Sequence, residues 1–128
     1  MNKTYVVIAA LLGAISVILG AFGAHGLKSR MNAETFEIFE TAVKYQFYHV
    51  FALLAVAFAA QYLPGNLIHW SGRLFIAGII FFSGSLYLLS YFKMIENAQM
   101  NWLGAVTPFG GLCFIAGWVL LAVSAIRS

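Results

Sequence analysis

Two imidazoles, His25 and His49, are the side chains best suited to chemistry in this chain, and both stand among apolar neighbours. Imidazole ligates transition metals, and a pair can hold a haem iron from opposite faces. It is also the side chain whose charge changes nearest neutral pH. A metal would want a third ligand, and Glu40 lies about two and a half helical turns from His49. No motif with fixed ligand spacing accompanies the pair. Haem, metal or quinone binding is therefore the weakest reading, no cofactor is expected, and hydrogen bonding is the simpler use of both rings. Gln46, Ser83, Tyr87, Ser90, Tyr91 and Thr107 add hydroxyl and amide groups to otherwise apolar stretches.

A second feature is Thr107-Pro108-Phe109-Gly110-Gly111, which permits two structures. A helix beginning near Trp102 would be interrupted at Pro108, freeing a carbonyl. Alternatively Thr107 is an N-cap and Pro108 the first helical residue. The second arrangement leaves the N–H groups of Phe109, Gly110 and Gly111 free, and such a terminus can receive an anion. Other catalytic signatures are missing. The glycines of Gly20-Ala-Phe-Gly23-Ala-His25-Gly26 follow no strand, and no Lys-Ser pair directly follows the last glycine as a phosphate loop requires, so that reading is rejected. No paired carboxylates and no Ser-His-acid set with a nucleophile motif occur within the apolar stretches, so catalysis has no positive support. Cys113, the single cysteine, allows no internal disulfide and reads as a small packing residue.

The elements that must position these groups follow from the charges. No formal charge lies between Lys3 and Lys28, Lys44 and Arg73, Arg73 and Lys93, or Glu96 and Arg127, leaving gaps of 24, 28, 19 and 30 residues. Roughly 20 apolar residues cross a bilayer core of about 30 Å. The 128 residues are 62% hydrophobic and 9% charged, against about 25% charged in a soluble domain, with mean hydropathy +0.90. The composition predicts an all-α membrane protein: one integral domain over residues 1–128, with four transmembrane helices at about 4–26, 32–63, 71–92 and 102–126. Lys3 followed by an apolar run, with Ala21 and Gly23 behind it, imitates a signal peptide; the segment reads instead as a true first span. Asn32 is the expected N-cap of helix 2, whose first turns carry Glu37, Glu40 and Lys44 on one face and Phe36, Phe39 and Val43 on another. Leu63-Pro64-Gly65-Asn66 marks a turn. Tyr5, Tyr62 and Trp70 form an aromatic belt at one surface; Tyr45, Tyr48, Tyr91 and Trp102 form one at the other.

The net charge of +3 is spread over tails and loops, which excludes a nucleic-acid patch and suits anionic lipid headgroups. Lys3, Arg73 and Arg127 fall on one side of the membrane and Lys28, Arg30, Lys44 and Lys93 on the other, too even a division to set orientation. Close helix packing in lipid needs small residues. They recur as Ala9, Gly13, Ser16, Gly20 and Gly23 in helix 1, and as Ala52, Ala55 and Ala59 in helix 2. Helix 3 offers Ala77 and Gly84, and helix 4 Gly110, Cys113, Gly117 and Ser124. Spacings near seven predict a left-handed antiparallel bundle, with Gly13, Gly20, Gly23, Ala52, Ala59, Gly84, Gly110 and Gly117 at the contacts. By depth, His25, Gln46, His49, Tyr87, Ser90 and Thr107 gather in the half facing loops 1 and 3. They would form a polar pocket there, unless each hydroxyl bonds its own helix.

Four segments in order, GAFGAHGL (Gly20–Leu27), YQFYH (Tyr45–His49), FIAGIIFFSGSLYLL (Phe75–Leu89) and LGAVTPFGG (Leu103–Gly111), closely resemble an uncharacterised family of small bacterial membrane proteins, the YgdD/YwdK type. The resemblance covers nearly the whole chain. It implies a four-span protein of the bacterial cytoplasmic membrane and brings no activity, ligand or functional residue. The expectation is a non-catalytic binding or interaction protein in contact with membrane lipids, assembling with itself or a membrane partner. The alternative is a channel or transporter subunit for an ion or small anion.

Overall fold

The computed structural model describes residues 2–128. Four helices long and apolar enough to cross a membrane account for most of it: helix 1 (Lys3–Leu27), helix 2 (Ala33–Ala59), helix 3 (Leu67–Met94) and helix 4 (Ala98–Ile126). Successive helices run antiparallel, as their short connections require. Local chemistry explains the boundaries. Asn2 and Asn32 cap helices 1 and 2, each side-chain oxygen accepting an N–H three residues on, at 3.1 and 2.8 Å. Between helices 2 and 3 the chain turns at Gly65, whose φ of +88° is a conformation glycine adopts without strain. Helix 3 starts at Leu67, four residues before the expected Ser71, because Ile68 and Ser71 are buried on its first turns.

Two helices contain a widened π turn, Gly23–Leu27 at the end of helix 1 and Ile79–Ser83 inside helix 3. Helix 4 resolves the choice at Pro108 in a third way. A 3₁₀ segment, Ala98–Ala105, leads into an α-helix over Thr107–Ile126 with Pro108 in its first turn. The cap position is helical Val106, without a side-chain cap, so Thr107 is not an N-cap.

Helix 2 packs on helix 1 along one face and on helix 3 along another, and helix 3 packs on helix 4. Helices 1 and 4 share no packed interface, so the bundle is open between them rather than a closed ring, while aromatic side chains of helix 4 reach helix 2. Helix 1 is fixed mainly through Ala9, Ser16 and Gly23, which are buried on the face toward helix 2, while Val7, Leu11, Val17 and Ile18 are exposed. Gly13 faces Val50, Gly20 faces Val43 and Gly23 lies under the Phe39 ring. Helix 4 makes the tightest approach: Gly110 rests on the backbone of Phe81 and Phe82, and Gly117 on the Phe75 ring. Gly84 differs from expectation, since the nearest atom to a Cβ there would be the Ile79 carbonyl at 4.0 Å. Gly72, under Tyr5, and Gly78, under Phe114, are the closely packed glycines of helix 3 instead. Ala52 is buried, Ala59 half-buried and Ala55 exposed.

Candidate functional site

The antiparallel register of helices 1 and 2 sets the depth of the polar groups. With Gly13 opposite Val50 and Gly20 opposite Val43, His49 is level with the middle of helix 1. His25 lies about eleven residues farther along, or roughly 17 Å at 1.5 Å per residue. The two histidines therefore do not pair. His25 is exposed in the π turn that ends helix 1. The opening turns of helix 2, from Ala33, lie beside the last turns of helix 1, which leaves Gln46 and His49 level with the middle of helix 1.

His49 also points away from helix 1. Its ring lies flat on Phe114 of helix 4, with centroids 3.5 Å apart and planes inclined by 5°. Its Nδ1 is 2.7 Å from the Tyr45 carbonyl, and Trp118 Nε1–H donates to Nε2 at 3.1 Å. A carbonyl can only accept and an indole N–H can only donate. Both contacts are satisfied by one form, the neutral ring with its proton on Nδ1. Phe75 packs against both His49 and Trp118. This aromatic cluster was not foreseen from the sequence, because helix periodicity does not say which faces of helices 2 and 4 meet. Among the described residues no three His, Cys, Asp or Glu side chains gather as a metal would need.

Gln46 and Tyr87 do come together. Tyr87 donates to Gln46 Oε1 at 2.7 Å, and Gln46 Nε2 donates to the Leu12 carbonyl at 3.0 Å. One amide thus links helices 1, 2 and 3. Ser90 lies one turn away and donates to the Tyr87 carbonyl. Thr107 meets Ser85 of helix 3 at 2.6 Å. Two further serines tie helices: Ser83 donates to the Ala42 carbonyl at 2.8 Å and Ser71 to the Gly117 carbonyl at 2.7 Å. Tyr5 donates to the His69 carbonyl at 2.7 Å, joining helices 1 and 3. The six expected pocket residues are therefore spread over four places rather than lining one vestibule. Ser71 and Tyr5 also extend polar contacts into the half that faces loop 2.

The expected anion terminus is closed. Phe109 N–H donates to the Val106 carbonyl at 3.1 Å, because the 3₁₀ segment supplies the preceding turn. Gly110 is buried against the Phe81–Phe82 backbone, with no room for an ion on that side.

What the fold leaves open lies to the side. Where helix 1 diverges from helix 3, near loop 1, a groove of about 310 Å³ opens. Leu19, Phe22, Leu27, Met31, Phe39 and Met94 make its apolar walls, and Tyr87, Ser90, Tyr91 and Arg30 supply its polar atoms. The π turn at Gly23–Leu27 delivers Leu27 to this wall. Arg30 and Met31 follow in a turn where both N–H groups donate to the Leu27 carbonyl, at 2.9 and 3.0 Å.

Four apolar helices, tied together by polar side chains and with a sideways opening, define a polytopic α-helical membrane protein. The chain belongs to the family described as "Protein of unknown function (DUF423)", whose model matches residues 19–111. It is 40% identical over 126 residues to the UPF0382 membrane protein YwdK of Bacillus subtilis, covering 98% of each chain. It is 40% identical over 125 residues to the UPF0382 membrane protein SH2409 of Staphylococcus haemolyticus, covering 98% of this chain and 97% of that one. It is 39% identical over 126 residues to the UPF0382 inner membrane protein YgdD of Escherichia coli K12, covering 98% of this chain and 92% of that one. No solved structure matches. The resemblance seen in the sequence motifs is thereby established, and the chain is a multi-pass membrane protein.

Proposed function

We propose that this protein is a non-catalytic binding protein whose ligand resides in the membrane and enters the groove between helices 1 and 3 near loop 1. One observation carries the reading. Gln46, Tyr87, His49, Ser71 and Ser83 are committed to partners across helix contacts, whereas this groove joins a deep apolar wall to polar atoms at headgroup level. Ligand sites have that composition, mostly apolar with a few convergent polar groups. A ligand arriving through the bilayer needs a lateral opening, which the divergence of helix 1 from helix 3 provides. The half facing loop 2 is filled by Ala9, Leu53, Val56, Ile68 and Phe75, which weighs against an ion path through the chain.

Photo-crosslinking tests the reading. The full-length protein is reconstituted with a phospholipid bearing a diazirine near the end of one acyl chain. Adducts are expected to concentrate on Leu19, Phe22 and Met94. Adducts distributed by exposure alone, with Val17, Leu112 and Ile115 labelled as heavily as the groove, would refute it.

A further inference from the structure

We infer that the occupant of this groove is an anionic phospholipid, one acyl chain lying along Leu19, Phe22 and Met94 with its phosphate on Arg30; the inference rests on the binding role proposed above. The charges near loop 1 divide between two grooves. Lys28 and Lys44 line a separate surface cleft together with Glu37 and Glu40, so those cations face carboxylates. Arg30 lines the apolar groove, whose wall contains no acidic residue. A guanidinium presents a planar fork that matches phosphate oxygens two at a time. Arg30 is exposed in loop 1, and Tyr91 is 49% exposed beside it. A cation and a hydroxyl thus stand at the mouth, over an apolar wall that runs toward the bilayer centre. A soluble anion would gain nothing from that wall, and a zwitterionic lipid would offer Arg30 a phosphate whose charge its own ammonium group offsets. The volume of about 310 Å³ is at the small end of ligand sites and suits part of one chain, the rest of the lipid remaining in the bilayer.

Native mass spectrometry of the full-length protein, extracted from bilayers of equal phosphatidylglycerol and phosphatidylcholine, tests the inference. The wild type is expected to retain phosphatidylglycerol preferentially. Arg30→Gln should lower that preference about fivefold, the effect of one basic residue at a membrane surface. Arg127→Gln, at the opposite membrane side, should leave it unchanged. Met94→Trp, which fills the groove, should reduce retention of both lipids while circular dichroism shows the helices intact. An undiminished preference in Arg30→Gln, or an equal loss in Arg127→Gln, would overturn the anionic assignment while leaving the groove as a binding site. Unchanged retention of both lipids in Met94→Trp would overturn the groove itself.

Discussion

Gly110→Ala should be the most damaging single methyl that can be added to this protein. The new carbon would sit 2.7 Å from both Phe81 C and Phe82 Cα, and nearer still to Phe82 N. These are backbone atoms and cannot turn aside as a side chain can. Restoring ordinary contact requires helices 3 and 4 to part by about 1 Å, a gap that forfeits a quarter to a half of each dispersion contact it opens. Overpacking of this kind costs about 1–3 kcal/mol, against a gain in helix propensity of about 1 kcal/mol for replacing glycine by alanine. Dispersion carries more of the burden in lipid, where apolar burial does not drive helices together. Two other glycines calibrate the result. At Gly23 the methyl would lie 2.5 Å from Phe39 Cε1, a ring that can shift; at Gly13 it would meet Val50 Cγ1 at 3.5 Å, an ordinary contact. Equilibrium unfolding in bicelles, by steric trapping, should therefore rank the variants Gly110→Ala below Gly23→Ala, with Gly13→Ala equal to the wild type or above it. The propensity gain is common to both variants, so the gap between Gly110→Ala and Gly13→Ala should equal the overpacking cost, about 1–3 kcal/mol. Equal stabilities for those two variants would refute the backbone contact between helices 3 and 4.

Two further outcomes follow from the polar ties. A double-mutant cycle on Tyr87→Phe and Gln46→Leu should return a coupling of about 0.6 kcal/mol, and no more than about 1.7, the range for hydrogen bonds between membrane helices; zero coupling would remove the bond. In a Cys113→Ser background, a water-soluble maleimide should label His25→Cys rapidly and His49→Cys hardly at all, and equal rates would contradict the difference in depth.

Much of the architecture is legible in the residues because lipid imposes a simple rule. Every span must be long, apolar and helical, since no water is present to satisfy a bare backbone. The charge gaps therefore show four helices, Asn32 announces a cap and Gly65 a turn. The small-residue stripe of helix 1 also reads correctly: Ala9, Ser16 and Gly23 are buried, and Gly13 and Gly20 face helix 2. Helix 3 resists the same reading. Its close contacts fall at Gly72 and Gly78 rather than at Gly84, because a π turn at Ile79–Ser83 rotates the later face relative to the earlier one. Nothing in the residue pattern announces that turn.

The candidate site is divided in the same way. Residue types alone single out Gln46, His49, Tyr87 and Thr107 as groups needing partners, because an unpaired polar atom in hydrocarbon is costly. Which partner each finds is a matter of helix rotation and register, and these depend on contacts far apart in the chain. So His49 meets Trp118 and Phe114 rather than His25, and Thr107 meets Ser85. The four charge-free stretches settle that the protein spans the membrane, since length and hydropathy are local sums. That helix 1 diverges from helix 3 near loop 1, leaving a groove with Arg30 at its mouth, is decided only when four helices compete for one another's small-residue faces.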